Sequence, residues 1–433
     1  MALVLEKSKL VTKIFIGVFW LVAVIPFLGQ ELMPGVYEKI STLLYAFVDF
    51  VIISLGLWVI KDKKDWAILI AFVALSFIST YVVNGYSILF YINGLRMYLC
   101  YILCVPIYRY FFDDLKKRNM FTQKMDRVLY IFLWLQLPVA LVQFFLYGAY
   151  DNVGGTMGWM MSGEMSTLVY LISFYFMHKN WDKAKSYIVN IKENWVLILL
   201  LLPSFLNETK ISFVYLMMYF FFLLPIDRKF IKRMLIFIPC MVVVFFIAGY
   251  FYLTVTGAGD DVLTEEYFTM YFTGDDDALT YMEFAVDNGV EEIGDDQGDI
   301  FRGVKFAAIP FIQMRESHAP YIGFGIGQFK GGTVFDKSEF ANEFECLFKG
   351  AVMGFYMVII ELGYAGLLFI LLFWIITFKT ISKRSNKGLL LYQIFTVIIL
   401  GIYNNAFIAT AFYIIFFYIV FVNNNWKIIR NYE

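Results

Sequence analysis

Three cations, a histidine and a run of glycines, closely spaced in an otherwise apolar chain, carry the chemistry this sequence offers. From Phe301 it reads FRGVKFAAIPFIQMRESHAPYIGFGIGQF, so Arg302, Lys305, Arg315 and His318 lead into Gly323, Gly325 and Gly327. Guanidinium groups grip phosphate oxygens bidentately, and a nearby ammonium adds point charge. The stretch 300–316 reads as a helix, and Arg302 and Lys305, three apart, share one of its faces. A further cation, Lys210, closes the short polar tip Asn207-Glu208-Thr209-Lys210 between two apolar runs. With no nucleotide motif and no cytoplasmic catalytic domain in the chain, the natural phosphate here is that of a lipid-linked donor. The competing reading is that these cations offset the acidic half of the same segment. If a general base is needed, Glu208, Glu343 and His318 are the candidates, and none stands out.

Other patterns carry less. The glycines of GFGIGQF lack a βαβ context, so they are weak evidence for a nucleotide site. A tight turn that brings backbone amides close to a ligand or another helix is their better use. The aspartate runs at 275–277 and 295–299 lack the spacing of a calcium loop and read as solvated surface. Asn207-Glu208-Thr209 matches a glycosylation sequon, but its depth in the membrane makes that a chance match. Of four cysteines, three lie in apolar runs, so no disulfide framework is implied. Cys100 and Cys104, one helical turn apart, read as packing rather than a metal pair. No metal and no cofactor is expected.

The elements that must position these groups are membrane helices. The chain is 61% hydrophobic and 20% aromatic, against roughly 45–50% apolar residues in soluble domains. Apolar runs of spanning length recur along it, and about 20 such residues cross a bilayer core of about 30 Å. The first run, Ile14–Leu28, follows Lys7, Lys9 and Lys13 as a signal peptide would. No small-x-small cleavage site follows it, so it reads as a retained anchor. The expected fold class is an all-α polytopic membrane protein with about twelve transmembrane helices. These fall near 14–30, 40–60, 66–83, 88–110, 128–148, 157–177, 195–206, 210–225, 234–256, 352–378, 389–403 and 406–422.

The connections alternate in basic content. KDKKD (61–65), 113–127, 178–194, DRKFIKR (227–233) and KTISKRSNK (379–387) are rich in Lys and Arg, and the intervening turns are nearly free of them. By the positive-inside rule both termini are cytoplasmic and the large loop, about 257–350 with short helices of its own, is external. The chain then divides into helices 1–9 (1–256), the loop (257–350) and helices 10–12 (351–433). The net charge of −1 hides this sidedness, and no nucleic-acid partner is indicated. The large loop follows the ninth span, so the chain does not split into the matched halves of a repeat-built carrier.

Two details place polar groups at depth. The run 195–206 would rise only about 18 Å as a helix, too short for the hydrocarbon core. The tip at 207–210 is therefore expected in a water-filled recess below the outer surface, the alternative being a tilted helix with its ends in the headgroups. Asn404-Asn405 reads as a second sunken tip. Asp49, Arg96, Glu164 and Glu361 lie within or at the edge of apolar spans, where a charge costs on the order of 2.5–3.5 kcal/mol. Such groups need partners. They build either a cavity for a charged headgroup, with Arg96 and Glu164 as contacts, or internal pairs such as Arg96 with Asp49 or Glu164.

The order of these features resembles a known superfamily. A sunken tip with a cation (NETK, 207–210) precedes a large external loop whose second half opens on FRG (301–303). GFGIGQF (323–329) follows, then a span carrying Glu361-Leu362-Gly363-Tyr364-Ala365-Gly366. Together these resemble the O-antigen polymerase and O-antigen ligase superfamily, which includes capsule and exopolysaccharide repeat-unit polymerases (Wzy type), over about 195–378. The resemblance implies a metal-independent glycosyltransferase of the bacterial cytoplasmic membrane, acting on its outer face on undecaprenyl-pyrophosphate-linked oligosaccharides. It implies a chain-length regulator and a flippase as partners. Arg302 stands where the family has its loop arginine, and Lys210 where a basic residue commonly follows the short span. Ligases typically carry His-Asn about nine residues before the Glu of this last span, and here that place reads Val352-Met353-Gly354, which favours a polymerase. Arg302, Arg315 and Lys210 would then stabilise charge on the departing pyrophosphate. Lys305, Asn207, Gly323, Gly325, Gly327 and Glu343 would complete the substrate contacts. A flippase for lipid-linked oligosaccharides is the competing class.

Overall fold

The computed structural model describes residues 2–148, 152–159, 161–207, 211–224, 302–329, 338–348, 352–379, 385–404 and 409–425, with isolated helical positions at 232, 235, 239 and 243. All regular structure among the described residues is helical. Apart from those isolated positions, the expected ninth span and the acidic half of the loop lie outside the described residues, as do Glu208, Lys210 and Asn405.

Among the described residues, six helices are long and apolar enough to cross a membrane. They are α1 (Ala2–Leu32), α2 (Pro34–Val59), α3 (Lys63–Phe77, continued by a π-helical turn Ile78–Val83), α4 (Ile88–Phe112), α5 (Leu115–Tyr147) and α16 (Gly354–Lys379). Between α5 and α16 come α6 (Ser162–Asn180), α7 (Tyr187–Glu193), α8 (Trp195–Leu199), α9 (Pro203–Leu206) and α10 (Ile211–Phe222). The segment 302–348 adds α11 (Arg302–Ala307), α12 (Ile309–Gln313), α13 (Ala319–Ile322), α14 (Glu339–Glu343) and α15 (Glu345–Phe348). The last two apolar helices are α17 (Lys387–Tyr403) and α18 (Thr410–Asn424). The chain is thus a membrane-embedded helical protein.

Burial sorts the bundle into a centre and a rim. In α18 every residue from Ala411 to Val420 is buried, and so is every residue of α6 from Met165 to His178. A helix apolar or small on all sides belongs at the centre. Aromatic rings fill the space there: Trp374 stacks on Phe417 at 5.6 Å, Phe111 on Phe121 at 3.8 Å, and Phe174 on Tyr392 at 4.0 Å. The rim helices keep an exposed apolar stripe, including Phe50, Ile70, Phe145 and Leu368, as lipid contact requires.

Contacts also sort the helix ends. At one end Tyr147 donates to Glu31 at 2.6 Å, and Trp159 Nε1 donates to the same carboxylate at 3.2 Å. At the opposite end Lys179 pairs with Asp126 at 2.8 Å, Arg109 with Asp65 at 2.7 Å, and Arg118 donates to Asn425 at 3.1 Å. The second group belongs to the Lys/Arg-rich connections, the first to the connections nearly free of them.

Three elements differ from what the sequence pattern predicts. The basic stretch 113–127, read as a loop, is mostly the first turns of α5, because Asp114 caps that helix by accepting from the Lys116 and Lys117 amides at 2.9 and 3.1 Å. The run 195–206 is two short helices rather than one: α8 stops before Pro203, which opens α9, and the pair meets the preceding α7 at a 72° bend. The single helix expected over 300–316 is two short ones, since Pro310 removes an amide donor and restarts the helix as α12.

Candidate functional site

At the end of the bundle that holds Glu31 and Trp159, Asn207 and Asn404, one from each polar tip, converge on the start of α6. Asn207, fully inside the protein, donates through Nδ2 to the Ser162 carbonyl at 3.0 Å and to Ser166 Oγ at 2.9 Å. The second tip approaches the same turn, because a Cβ on Gly163 would sit 3.4 Å from Asn404 Nδ2. Glu164, the next residue, lies within electrostatic reach of the Tyr45 hydroxyl on α2. The Asn404 carbonyl accepts from Gly354 N at 3.0 Å, which ties this tip to the start of α16.

Arg302 is anchored on the same tip. Its Nε donates to the Tyr403 carbonyl at 2.7 Å, and its guanidinium carbon lies 4.2 Å from the centre of the Tyr403 ring. Stacking and the Nε bond fix the plane of the fork while leaving the side chain partly accessible. Lys305, expected on the same face, is fully buried instead. Arg315 forms an ion pair with Glu343, so a candidate cation and a candidate carboxylate are each other's partner. Arg96 pairs with Asp49 at 3.4 Å, the internal pairing weighed against a headgroup contact.

The glycine-rich stretch occupies a second place on this end of the bundle. Gly363, at φ 62°, breaks α16 and frees the carbonyls of Ile360 and Glu361. Phe324 N and Gly325 N donate to those carbonyls, each at 2.9 Å. In a bilayer such freed groups must find partners within the protein. The other wall is the π-helical turn of α3, where Thr80 Oγ1 accepts from Ile326 N at 2.9 Å and Ser79 Oγ donates to the Ile322 carbonyl at 2.6 Å. The fit leaves no room for side chains: a Cβ on Gly323 would lie 2.4 Å from the Glu361 carbonyl carbon, and one on Gly94 of α4 would lie 2.7 Å from that of Ile326. Gly325 and Gly327 also hold φ of 88° and 104°, the region that favours glycine. Of the two uses foreseen for these glycines, close approach to helices is the one observed.

His318 closes this region from outside. Asn84 spends Nδ2 on two carbonyls, Ser79 at 2.7 Å and Gly323 at 3.1 Å, so its Oδ1 is the atom facing His318 Nε2 at 3.1 Å. An oxygen there needs a donor, so Nε2 carries a proton in this contact. Nδ1 lies 4.0 Å from Glu316.

Sequence reasoning missed Ser79, Thr80, Asn84, Gly94 and Tyr403, and a signal existed for some of them. Ser79-Thr80 interrupts an apolar run, and Asn84 follows it within a turn. Nothing marked Tyr403, whose part rests on its carbonyl and its ring. Among the described residues no cluster of His, Cys, Asp or Glu is arranged to hold a metal ion, and Cys100 and Cys104 are buried packing residues. No protein-family model matches this chain, and no curated protein matches it.

Proposed function

We propose that this protein is a polymerase that joins undecaprenyl-pyrophosphate-linked oligosaccharide repeat units into O-antigen, capsule or exopolysaccharide chains at the outer face of the cytoplasmic membrane. The single observation that carries the reading is the convergence of Arg302, Asn207 and Asn404 at one end of a membrane bundle. A phosphate-binding group fixed beside buried polar side chains at the bilayer edge suits a substrate whose headgroup is a pyrophosphate and whose tail stays in lipid. On this reading the chain crosses the membrane about twelve times, with cytoplasmic termini and the 257–350 loop outside. The grouping of basic connections at the opposite end supports that orientation.

The reaction follows from the charges. A sugar hydroxyl of one lipid-linked unit attacks the anomeric carbon of another. The new glycosidic C–O bond forms as the bond from the anomeric carbon to the phosphate oxygen breaks, and the hydroxyl proton leaves with the solvent or a base. Charge develops on the pyrophosphate, where Arg302, with Lys210 and Arg315 as further candidates, offers preorganised stabilisation. Pyrophosphate leaves readily, so no strong base is demanded. His318 Nδ1 and Glu208 are the candidates to take the proton. Attack opposite the leaving group inverts the anomeric configuration.

Purified protein in liposomes, given only a lipid-linked repeat unit, should build a ladder of longer lipid-linked products. Transfer to a lipid A core with no ladder would instead identify a ligase, and movement of unreacted substrate between leaflets a flippase. Orientation is tested separately: cysteine at exposed position 321 should react with an impermeant reagent from outside and cysteine at exposed position 183 should not. The reverse labelling would overturn the topology.

A further inference from the structure

The carboxylate of Glu361 has no part in the reaction above, yet it is among the most elaborately held groups in the protein. It is 1% exposed and sits within α16, two residues before the break at Gly363. Oε1 accepts from Gly327 N at 2.7 Å, and Oε2 accepts from the Tyr98 hydroxyl of α4 at 2.6 Å. The amides of Gln328 and Phe329 face the same carboxylate. Three successive amides curled on one carboxyl group make a nest, a concavity usually filled by a bound phosphate or carboxylate. Here the chain supplies the carboxyl group itself.

We infer that Glu361 is a positioning residue that docks the segment 302–329 on the membrane helices by filling this amide nest. The backbone carbonyl of the same residue accepts from Gly325 N at 2.9 Å, so one residue holds the segment at two points. Further along, Gln328 donates to the Phe324 carbonyl at 2.7 Å and accepts from Ser338, which caps α14 through Ala341 N at 3.0 Å. The nest thereby sets the place of the segment that carries Arg302 at its start, Arg315 and His318 in its middle, and α14 just beyond. Glutamine at 361 keeps an acceptor for Gly327 N and can donate to the Tyr98 oxygen, whereas alanine leaves three amides and a hydroxyl unpaired in an apolar surround.

The test uses the full chain in nanodiscs, with spin labels on unnatural side chains at 314 and 82, which are 81% and 61% exposed in the native protein. The native protein and Glu361→Gln should both give one narrow distance distribution. Glu361→Ala should broaden it, while Glu193→Gln, in an exposed pair with Lys185 at the opposite end, should not. A narrow distribution in Glu361→Ala overturns the proposal. If that variant fails to insert, Tyr98→Phe removes one donor at nearly constant volume, and an unchanged distribution there overturns it equally. The link to catalysis rests on the polymerase reading and has its own readout. Glu361→Ala should lower kcat for ladder formation about tenfold or more with KM little changed, and Glu361→Gln should restore it. A broadened distribution with unchanged polymer output would leave the docking role standing and remove segment 302–329 from the reaction site.

Discussion

Two neighbouring regions at one end of this bundle use opposite kinds of residue. Around Gly323–Phe329 the loop makes its contacts through its own backbone: its amides meet the freed carbonyls of α16, Thr80 and the Glu361 carboxylate, and its glycines let three helices close on it. Around Arg302 the contacts are made by side chains that reach across, from Asn207 to α6 and from Arg302 to Tyr403. Backbone contacts at van der Waals distance tolerate no added atom, so the first region fixes geometry. The partly accessible Arg302 can change partners when a charged substrate arrives, so the second is where the proposed chemistry is assigned. The lesson is that a glycine pattern that looks like a ligand loop packs its backbone against helices, with Arg302 on a separate tip.

The sharpest way to break that contrast is at Arg302. Arg302→Ala should cut polymer output on the order of a hundredfold at normal insertion, the loss of several kcal/mol of charge-assisted binding. Arg302→Lys should rescue little, because an ammonium cannot reproduce a planar fork stacked on Tyr403. Near-normal output from Arg302→Ala would move the chemistry elsewhere, with Arg315 next to test. Gly323→Ala should do the reverse, acting through stability. At φ 71°, with backbone 2.4 Å from the new Cβ, it should cost about 3 kcal/mol, read as a lowered thermal midpoint of the purified protein.

Asn207→Ala should fall between the two. It removes the donor to the Ser162 carbonyl and Ser166 inside the protein, a loss of about 1–3 kcal/mol by thermal unfolding. Arg315→Ala should change stability by no more than about 1 kcal/mol, since its pair with Glu343 is half exposed. A larger loss would mean that the pair closes the segment 302–348. Asp114→Ala should have the smallest effect, fraying the start of α5. Amide hydrogen bonds, first from Lys117 and then from Lys116, and the lysine charges hold the Asp114 carboxyl below its ordinary 3.8. A lowered carboxyl stabilises the fold above that value and loses the contribution as pH falls through the shifted value. The difference between Asp114→Ala and native protein should therefore vanish on acidification below about 3.8, as followed by circular dichroism.

Much of the architecture was legible in sequence because membrane helices leave a coarse record. Apolar length marked α1 to α5 and α16, whereas the bend between α7 and the 195–206 stretch was not foreseen. The pairing of Arg96 with Asp49 was among the expected solutions because a charge in lipid must find a partner. The division of 300–316 at Pro310 was written in the sequence and overlooked in favour of its apolar content. The fates of Lys305 and the glycines were not legible, since spacing along a helix says which residues share a face but not what that face meets.

Sequence alone determined that the chain lives in a membrane, where its basic connections lie, and which few polar residues must be explained, because hydropathy and charge are sums over local composition. Only the tertiary structure decided which of those residues meet. The nest that binds Glu361 joins residues 327–329 to α4 and α16, and the corner at Arg302 joins 302 to 403. Such meetings depend on how helices distant in the chain pack, and on one break at Gly363 that leaves carbonyls a loop must satisfy.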